Sequence, residues 1–191
     1  TGTGPSLRLL ILGDSSAAGV GARHQSVALA GQLSQTLARD RALHWQLEAE
    51  TGATSASALA RLANLPAHPF DAAIVALVVN EVTRAVPLGR FLARRRAIHD
   101  LLLSRVGVDR IIASGLPPMD HFPILPQPLR WTLGRTAARL DTALAGLCAE
   151  EAGCTHLPLD LPFEPRFVAR DGFHPSEDAY ARWAEMLAAR L

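Results

Sequence analysis

The stretch AAIVALVV, residues 72–79, is eight apolar residues in a row. A membrane-spanning helix needs roughly 18 or more, so this run is too short to cross a bilayer. A strand wetted on one face alternates apolar with polar residues, and this one does not. It fits a central strand covered on both faces. Strand-length apolar runs recur at 7–12, 45–49, 110–113 and 156–159. Between them lie segments with helical spacing. Leu29, Leu33 and Leu37 form one stripe, and Phe91, Ile98, Leu101 and Leu102 a second. Leu140, Leu144 and Leu147 form a third, and Tyr180, Trp183, Leu187 and Leu191 a fourth. A shorter helix is expected over 55–63. Five β–α alternations imply a mainly parallel sheet with helices on both faces. No repeat or linker is visible, so 1–191 is expected to be a single domain, with 1–6 a disordered or trimmed tail.

Composition excludes several kinds of chemistry. The chain has 19 basic residues, all arginine, against 18 acidic ones, for a net charge of +1. That balance argues against a nucleic-acid surface, which needs a basic face. Arg94, Arg95 and Arg96 are a local exception inside a helical pattern, and the expectation is a solvated helix face. Without lysine there is no Walker-type phosphate loop, no Schiff base and no Ser-Lys dyad. Cys148 and Cys154 are too few for a disulfide framework; they read as ordinary small residues or as one bond across a helix end. The seven histidines make no metal-binding spacing, so no metal is expected. No signal-peptide pattern opens the sequence. The sequence starts at Thr1, so a leader or anchor could have been removed, and location is left open between cytoplasmic and, if one preceded Thr1, periplasmic or membrane-associated.

The first strand runs into a cramped corner, LLILGDSSAAGVGA. Gly19-Val20-Gly21 begins a dinucleotide fingerprint, but His24 stands at the third glycine position and no acidic residue closes the second strand. The other reading is a turn that presents the Ser15 hydroxyl. A serine needs a base to take its proton, usually a histidine oriented by a carboxylate. Asp171 and His174 stand three apart in RDGFHPSEDAY. Pro175 restricts His174 to extended backbone, and Ser176 is placed to cap the last helix, with Glu177 and Asp178 in its first turn. Taken alone, these residues are better read as a plain helix-start turn. Gly52 after the second strand could offer a backbone N–H to an oxyanion, and Asn80 after the third its side-chain amide. With strand order 2-1-3-4-5 the loops carrying Ser15 and Asn80 emerge side by side. Gly115 to Trp131 carries five prolines, at 117, 118, 123, 126 and 128. It reads equally as a rigid connector and as a ligand-binding loop.

Taken in order, Gly13-Asp14-Ser15, Gly52, Asn80 and Asp171-x-x-His174 resemble the blocks of the SGNH (GDSL-type) hydrolases, over nearly the whole chain. The resemblance implies a three-layer α/β/α flavodoxin-like fold with a five-stranded, mainly parallel sheet. It also implies cofactor-free serine hydrolysis of esters or thioesters. Ser15 would be the nucleophile, His174 the general base and Asp171 its orienter; Ser15, Gly52 and Asn80 would form the oxyanion hole. Two positions depart from the family. Its third block reads Gly-x-Asn-Asp, and here it is Val78-Val79-Asn80-Glu81, which bears on the aim of the Asn80 amide. Met119, Phe122 and Leu125 are candidates for the wall of an acyl pocket. The expected partner is a small or lipid-like acyl ester, with no nucleic acid, no transmembrane segment and an open subunit number. The other readings are a catalytically silent acyl- or sugar-binding domain of the same fold, and a dinucleotide-binding module using Gly13 to Gly21.

Overall fold

The computed structural model describes residues 2–65, 69–77, 79–162 and 164–191. Five parallel strands, β1 (Ser6–Gly13), β2 (Ala42–Ala49), β3 (Ala72–Ala76), β4 (Arg110–Ser114) and β5 (Cys154–Leu157), pair in the order β2-β1-β3-β4-β5. Among the described residues seven α-helices accompany them: α1 (Ser15–Ala18), α2 (Leu29–Leu37), α3 (Ser55–Asn64), α4 (Asn80–Thr83), α5 (Leu88–Leu101), α6 (Leu129–Glu150) and, after β5, α7 (Glu177–Ala188). A π-helical turn, Leu102–Val106, extends α5. Side chains leave a strand alternately to its two faces, and β1 shows it. Leu7, Leu9 and Ile11 join the core under α2, α6 and α7, while Leu10 and Leu12 join the core under α3 and α5. This is the α/β/α sandwich expected from the alternating sequence.

Register positions everything that follows. Gly13 lies level with Ala49 on one side and with Ala76 on the other. The loops after β1, β2 and β3 therefore leave the same sheet edge at the same height.

Several boundaries differ from the apolar runs. Ser6 belongs to β1, opposite Ala42, and the Pro5 carbonyl accepts from the Ala42 N–H at 3.0 Å, so residues 5 and 6 are tied to the sheet and are not a tail. That pairing also starts β2 three residues before the apolar run. β5 is Cys154–Leu157, because Pro158 has no N–H to continue a ladder. β3 ends at Ala76; Val79 already has helical dihedrals, φ −105 and ψ −21, and opens α4. Val78, one of the two departures from the family pattern, lies outside the described residues.

The arginine cluster needs correcting too. Arg96 is exposed, near Glu150 and Glu151, as a solvated face requires. Arg95 is fully buried. It follows Phe91 by four and precedes Ile98 by three, so the helix period carries it onto the sheet-facing side of α5. Its Nη2 donates to the Leu77 carbonyl, and its guanidinium lies 5.2 Å from the centre of the Phe91 ring. Burial pushes this guanidinium below its ordinary value, while the charges of Glu81 and Asp14 pull it back up.

At the opposite edge of the sheet from Gly13, Cys148 and Cys154 are free thiols with sulfurs 2.7 Å apart. Beside them His99 Nδ1 meets Glu151 Oε2 at 2.5 Å. No helix among the described residues is long and apolar enough to cross a membrane.

Candidate active site

The corner after β1 is built by a close approach. A Cβ on Gly13 would sit 2.2 Å from the Ala17 Cβ and 2.9 Å from the Ala76 carbonyl oxygen, so only glycine lets α1 fold back on the strand end. Asp14 is buried and caps α1, its Oδ1 accepting from the Ser16 N–H at 3.0 Å. Ser15 is thereby fixed as the first residue of a helical turn, with only 4% of its surface exposed. Its backbone N–H has no acceptor among the described residues.

His174 reaches this corner from the last loop. The segment is pinned by an antiparallel bridge between Val168 and Pro175, by the Ala169 N–H donating to the His174 carbonyl at 2.8 Å, and by Ser176, whose hydroxyl caps α7 through the Ala179 N–H at 3.2 Å. Asp171 Oδ1 accepts from the N–H groups of Phe173 and His174 at 2.9 and 3.0 Å. Its Oδ2 lies 2.6 Å from His174 Nδ1, and His174 Nε2 lies 3.1 Å from Ser15 Oγ. A carboxylate on Nδ1 fixes the tautomer with the proton there, leaving Nε2 as an acceptor for the serine hydroxyl. Partial burial opposes the charge on Asp171, but the two N–H donors and the imidazole outweigh it and hold the carboxyl below the usual carboxylate range.

That shift has a sign. A carboxyl lowered on folding contributes stability that is present above its unfolded pKa and lost as pH falls through the lower folded value. The Asp171 contribution is therefore expected to be complete above the ordinary carboxylate range, to shrink as pH falls through it, and to be gone below the lowered folded value. Thermal unfolding followed against pH should show Asp171→Asn with a flatter acid limb than the wild type. Identical limbs would mean the tie contributes nothing to folding.

The glycines once open to a dinucleotide reading serve protein packing instead. Gly21 has φ +101, and a Cβ there would stand 2.5 Å from the Pro175 carbonyl oxygen and 3.3 Å from the His174 Cβ. Gly21 thus makes room for the histidine loop against the serine turn. A Cβ on Gly19 would meet Ala28 at 2.6 Å and Gln25 at 2.8 Å, so these glycines cradle side chains, not a phosphate. Tyr180 of α7 donates to the Val20 carbonyl at 2.6 Å and clamps the two segments together.

Gly52 lies in the turn after β2 with φ +79; its carbonyl accepts from Arg84 at 3.2 Å, and its N–H has no acceptor among the described residues. Asn80 opens α4 at the end of the β3 loop. Its amide nitrogen donates to the Ala53 carbonyl at 3.0 Å and, at the outer limit of a hydrogen bond, faces Asp14 Oδ2 at 3.4 Å. The amide thus stitches the loops after β1 and β2 together. Glu81, the other departure from the family pattern, is buried, and its Oε1 accepts from the Ser55 N–H at the start of α3. The extra methylene lets the carboxylate reach a helix start, where a negative charge is favoured.

A cavity of about 390 Å³ opens beside His174 and Ser16. Phe122, Leu159, Leu161, Phe167 and Phe173 line it, and Phe122 and Phe173 meet edge to face at 5.3 Å between ring centres. Pro117, Pro118 and Pro123 contribute to the wall, which gives the proline-rich segment its place in the site. Of the three expected wall residues, only Phe122 lines the cavity. Met119 is fully buried in the core, and Leu125 packs against that core. Leu159, Leu161 and Phe167 were missed from the sequence. Their signal was a second proline-studded stretch, LPLDLPFEPRF, beyond β5.

Among the described residues, His99, Glu151 and Cys154 have ligating atoms within 4.8 Å of one another. They lie at the far edge of the sheet and take no part in the Ser15 site.

The structure aligns with solved proteins along almost its whole length. The psychrotrophic esterase EstA of Pseudoalteromonas sp. matches with a TM-score of 0.74 and 18% identity, covering 95% of this chain and 94% of its own. A family 3 carbohydrate esterase of Clostridium thermocellum matches at 0.73 with 14% identity, covering 96% and 94%. Phospholipase A1 of Streptomyces albidoflavus matches at 0.71 with 13% identity, covering 97% and 99%. At such identities these likenesses speak for the fold. Comparison with curated proteins finds no sequence match. The family comparison is direct: residues 11–182 match the GDSL-like Lipase/Acylhydrolase family, a span that runs from β1 to α7 and holds Ser15, Gly52, Asn80, Asp171 and His174. The chain belongs to that family of hydrolases acting on ester bonds.

Proposed function

We propose that the protein is a serine esterase that cleaves acyl esters through an acyl-Ser15 intermediate. One observation carries this reading: the unbroken relay from Asp171 to His174 Nδ1 at 2.6 Å and from His174 Nε2 to Ser15 Oγ at 3.1 Å. His174 takes the Ser15 proton as Oγ bonds to the ester carbonyl carbon. The carbonyl π electrons move onto oxygen, and the N–H groups of Ser15 and Gly52 stabilise that oxyanion. The Asn80 hydrogen held only loosely by Asp14 is the third donor. The tetrahedral species collapses, the C–O bond to the alcohol breaks, and His174 gives its proton to the departing alkoxide. Water, deprotonated by His174, then releases the acid and restores Ser15. Asp171 stays ionised throughout and stabilises the imidazolium.

The apolar cavity favours an acyl chain over a sugar as the group beside His174. Phe122→Ala should shift chain-length preference across p-nitrophenyl esters toward longer acyl groups. An unchanged profile would remove the proline-rich segment from the acyl site. The test of the reading itself is a fluorophosphonate probe followed by intact mass. One adduct on the wild type and none on Ser15→Ala is the expected result. No adduct on folded wild type would overturn it, and the engaged Asn80 amide would then favour a silent ligand-binding domain.

A further inference from the structure

Among the described residues four large apolar side chains stand exposed: Trp45, Ile124, Leu129 and Trp131. Three of the four fall in the eight residues 124–131, exposed by 57%, 46% and 56% respectively. Large apolar side chains left exposed this close together along the chain mark a surface to be covered. Proline at 126 and 128 stiffens the stretch, so these side chains are held out with little freedom to tuck away. The ridge borders the site, since Ile124 lies 3.2 Å from where a Cβ of Gly172 would be, and Gly172 lines the cavity.

Its charge is basic. Arg135 lies over the Trp131 ring at 5.1 Å, and Arg139 is exposed one turn further along α6. Arg170, on the cavity wall, makes no ion pair among the described residues. The acids nearby are mostly occupied: Glu164 pairs with Arg166 at 2.8 Å, and Asp171 holds His174. Asp120, close to His121, and Asp160, which lines one groove with Arg135, are the remaining ones.

We propose that the 124–131 ridge docks on an anionic lipid surface and that the ester is drawn from that surface into the cavity. This rests on reading the cavity as an acyl site. Tryptophan and arginine together suit the boundary between headgroups and acyl chains, where a ring is half buried and a cation meets lipid phosphate. A second copy fits less well, because a twofold contact centred on the ridge sets its arginines against their own mates.

The test uses the Ser15→Ala protein, so that lipid binding is read without turnover and stands apart from the esterase reading. Co-sedimentation is measured with vesicles of phosphatidylcholine alone and of phosphatidylcholine mixed with phosphatidylglycerol. Binding to the mixed vesicles is expected, with a blue shift of tryptophan emission and weakening in salt. Ile124→Ser with Trp131→Ser should lower that binding by at least about tenfold. Arg135→Glu, a surface change safe for folding, should lower it about fivefold or more. With Ser15 restored, all three substitutions should leave hydrolysis of a short soluble ester unchanged. No binding to either vesicle, or equal binding by the variants, would overturn the proposal. So would a dimer in sedimentation velocity that the serine pair dissociates, since a second copy would then cover the ridge. Loss of docking with intact fluorophosphonate labelling would sink the docking alone.

Discussion

Ester hydrolysis by Ser15→Ala should fall by about 10⁴-fold or more in kcat, while the folded structure is retained. The hydroxyl contacts the imidazole of His174 and makes no other hydrogen bond among the described residues, so its loss removes chemistry and not packing. His174→Ala should cost nearly as much. The double variant should be little worse than either, because nucleophile and base act as one unit and the first deletion already disables it. Steady-state rates on a p-nitrophenyl ester, with melting temperatures alongside, check all three proteins. Residual turnover of about a tenth of wild type in Ser15→Ala would place the nucleophile elsewhere. Cleanly additive losses would show that Ser15 and His174 do not act together.

The second large effect is on stability, and it lies behind the site. Arg95→Met removes a buried cation that offsets the charges of buried Glu81 and Asp14. Arg95 makes no direct ion pair with Glu81 among the described residues and acts on it through its field alone; leaving a buried polar group without compensation typically costs about 1–3 kcal/mol. For a chain of this size that corresponds to a fall of about 5 °C in Tm. Adding Glu81→Gln should recover part of the loss, since the amide oxygen can still accept from Ser55 without carrying a charge. Urea unfolding of the two single variants and the double variant measures the coupling. A near-neutral Arg95→Met would mean that the start of α3 satisfies Glu81 by itself. Because Asp14 caps the serine turn, Arg95→Met should also lower kcat more than Arg96→Met, a control on the exposed face of the same helix.

Much of this molecule is written in local sequence. The apolar runs and helical stripes read as five β–α alternations because side-chain period reports directly on which face is buried. Asp171 and His174 were legible as a pair because three residues separate them and a single turn brings carboxylate to imidazole. Ser176 was legible as a cap for the same local reason. Gly13 was conspicuous as a glycine at a strand end, although its neighbours at Ala17 and Ala76 were not.

Other features depend on contacts between distant segments. Arg95 looked solvated because arginine usually is; its burial follows from the acids of two other loops and a carbonyl at the end of β3. Glu81 looked like a misfit for a local bond, and its partner is 26 residues away at the start of another helix. Met119 looked like a pocket residue by composition, yet the short helical turn Met119–His121 points it into the core and leaves the wall to Phe122. Gly21 looked like half of a nucleotide motif, and its reason is a carbonyl of the histidine loop more than 150 residues on.

Spacing along the chain was enough to place the five strands to within a few residues, the longer helices, the central strand and the Asp171–His174 pair. Ser15 was already named as the partner of His174 by the family resemblance; the engagement of the Asn80 amide and the apolar residues that enclose the cavity came only from the folded arrangement. Those depend on register across the sheet and on loops meeting at one edge, and side-chain periodicity carries no information about either.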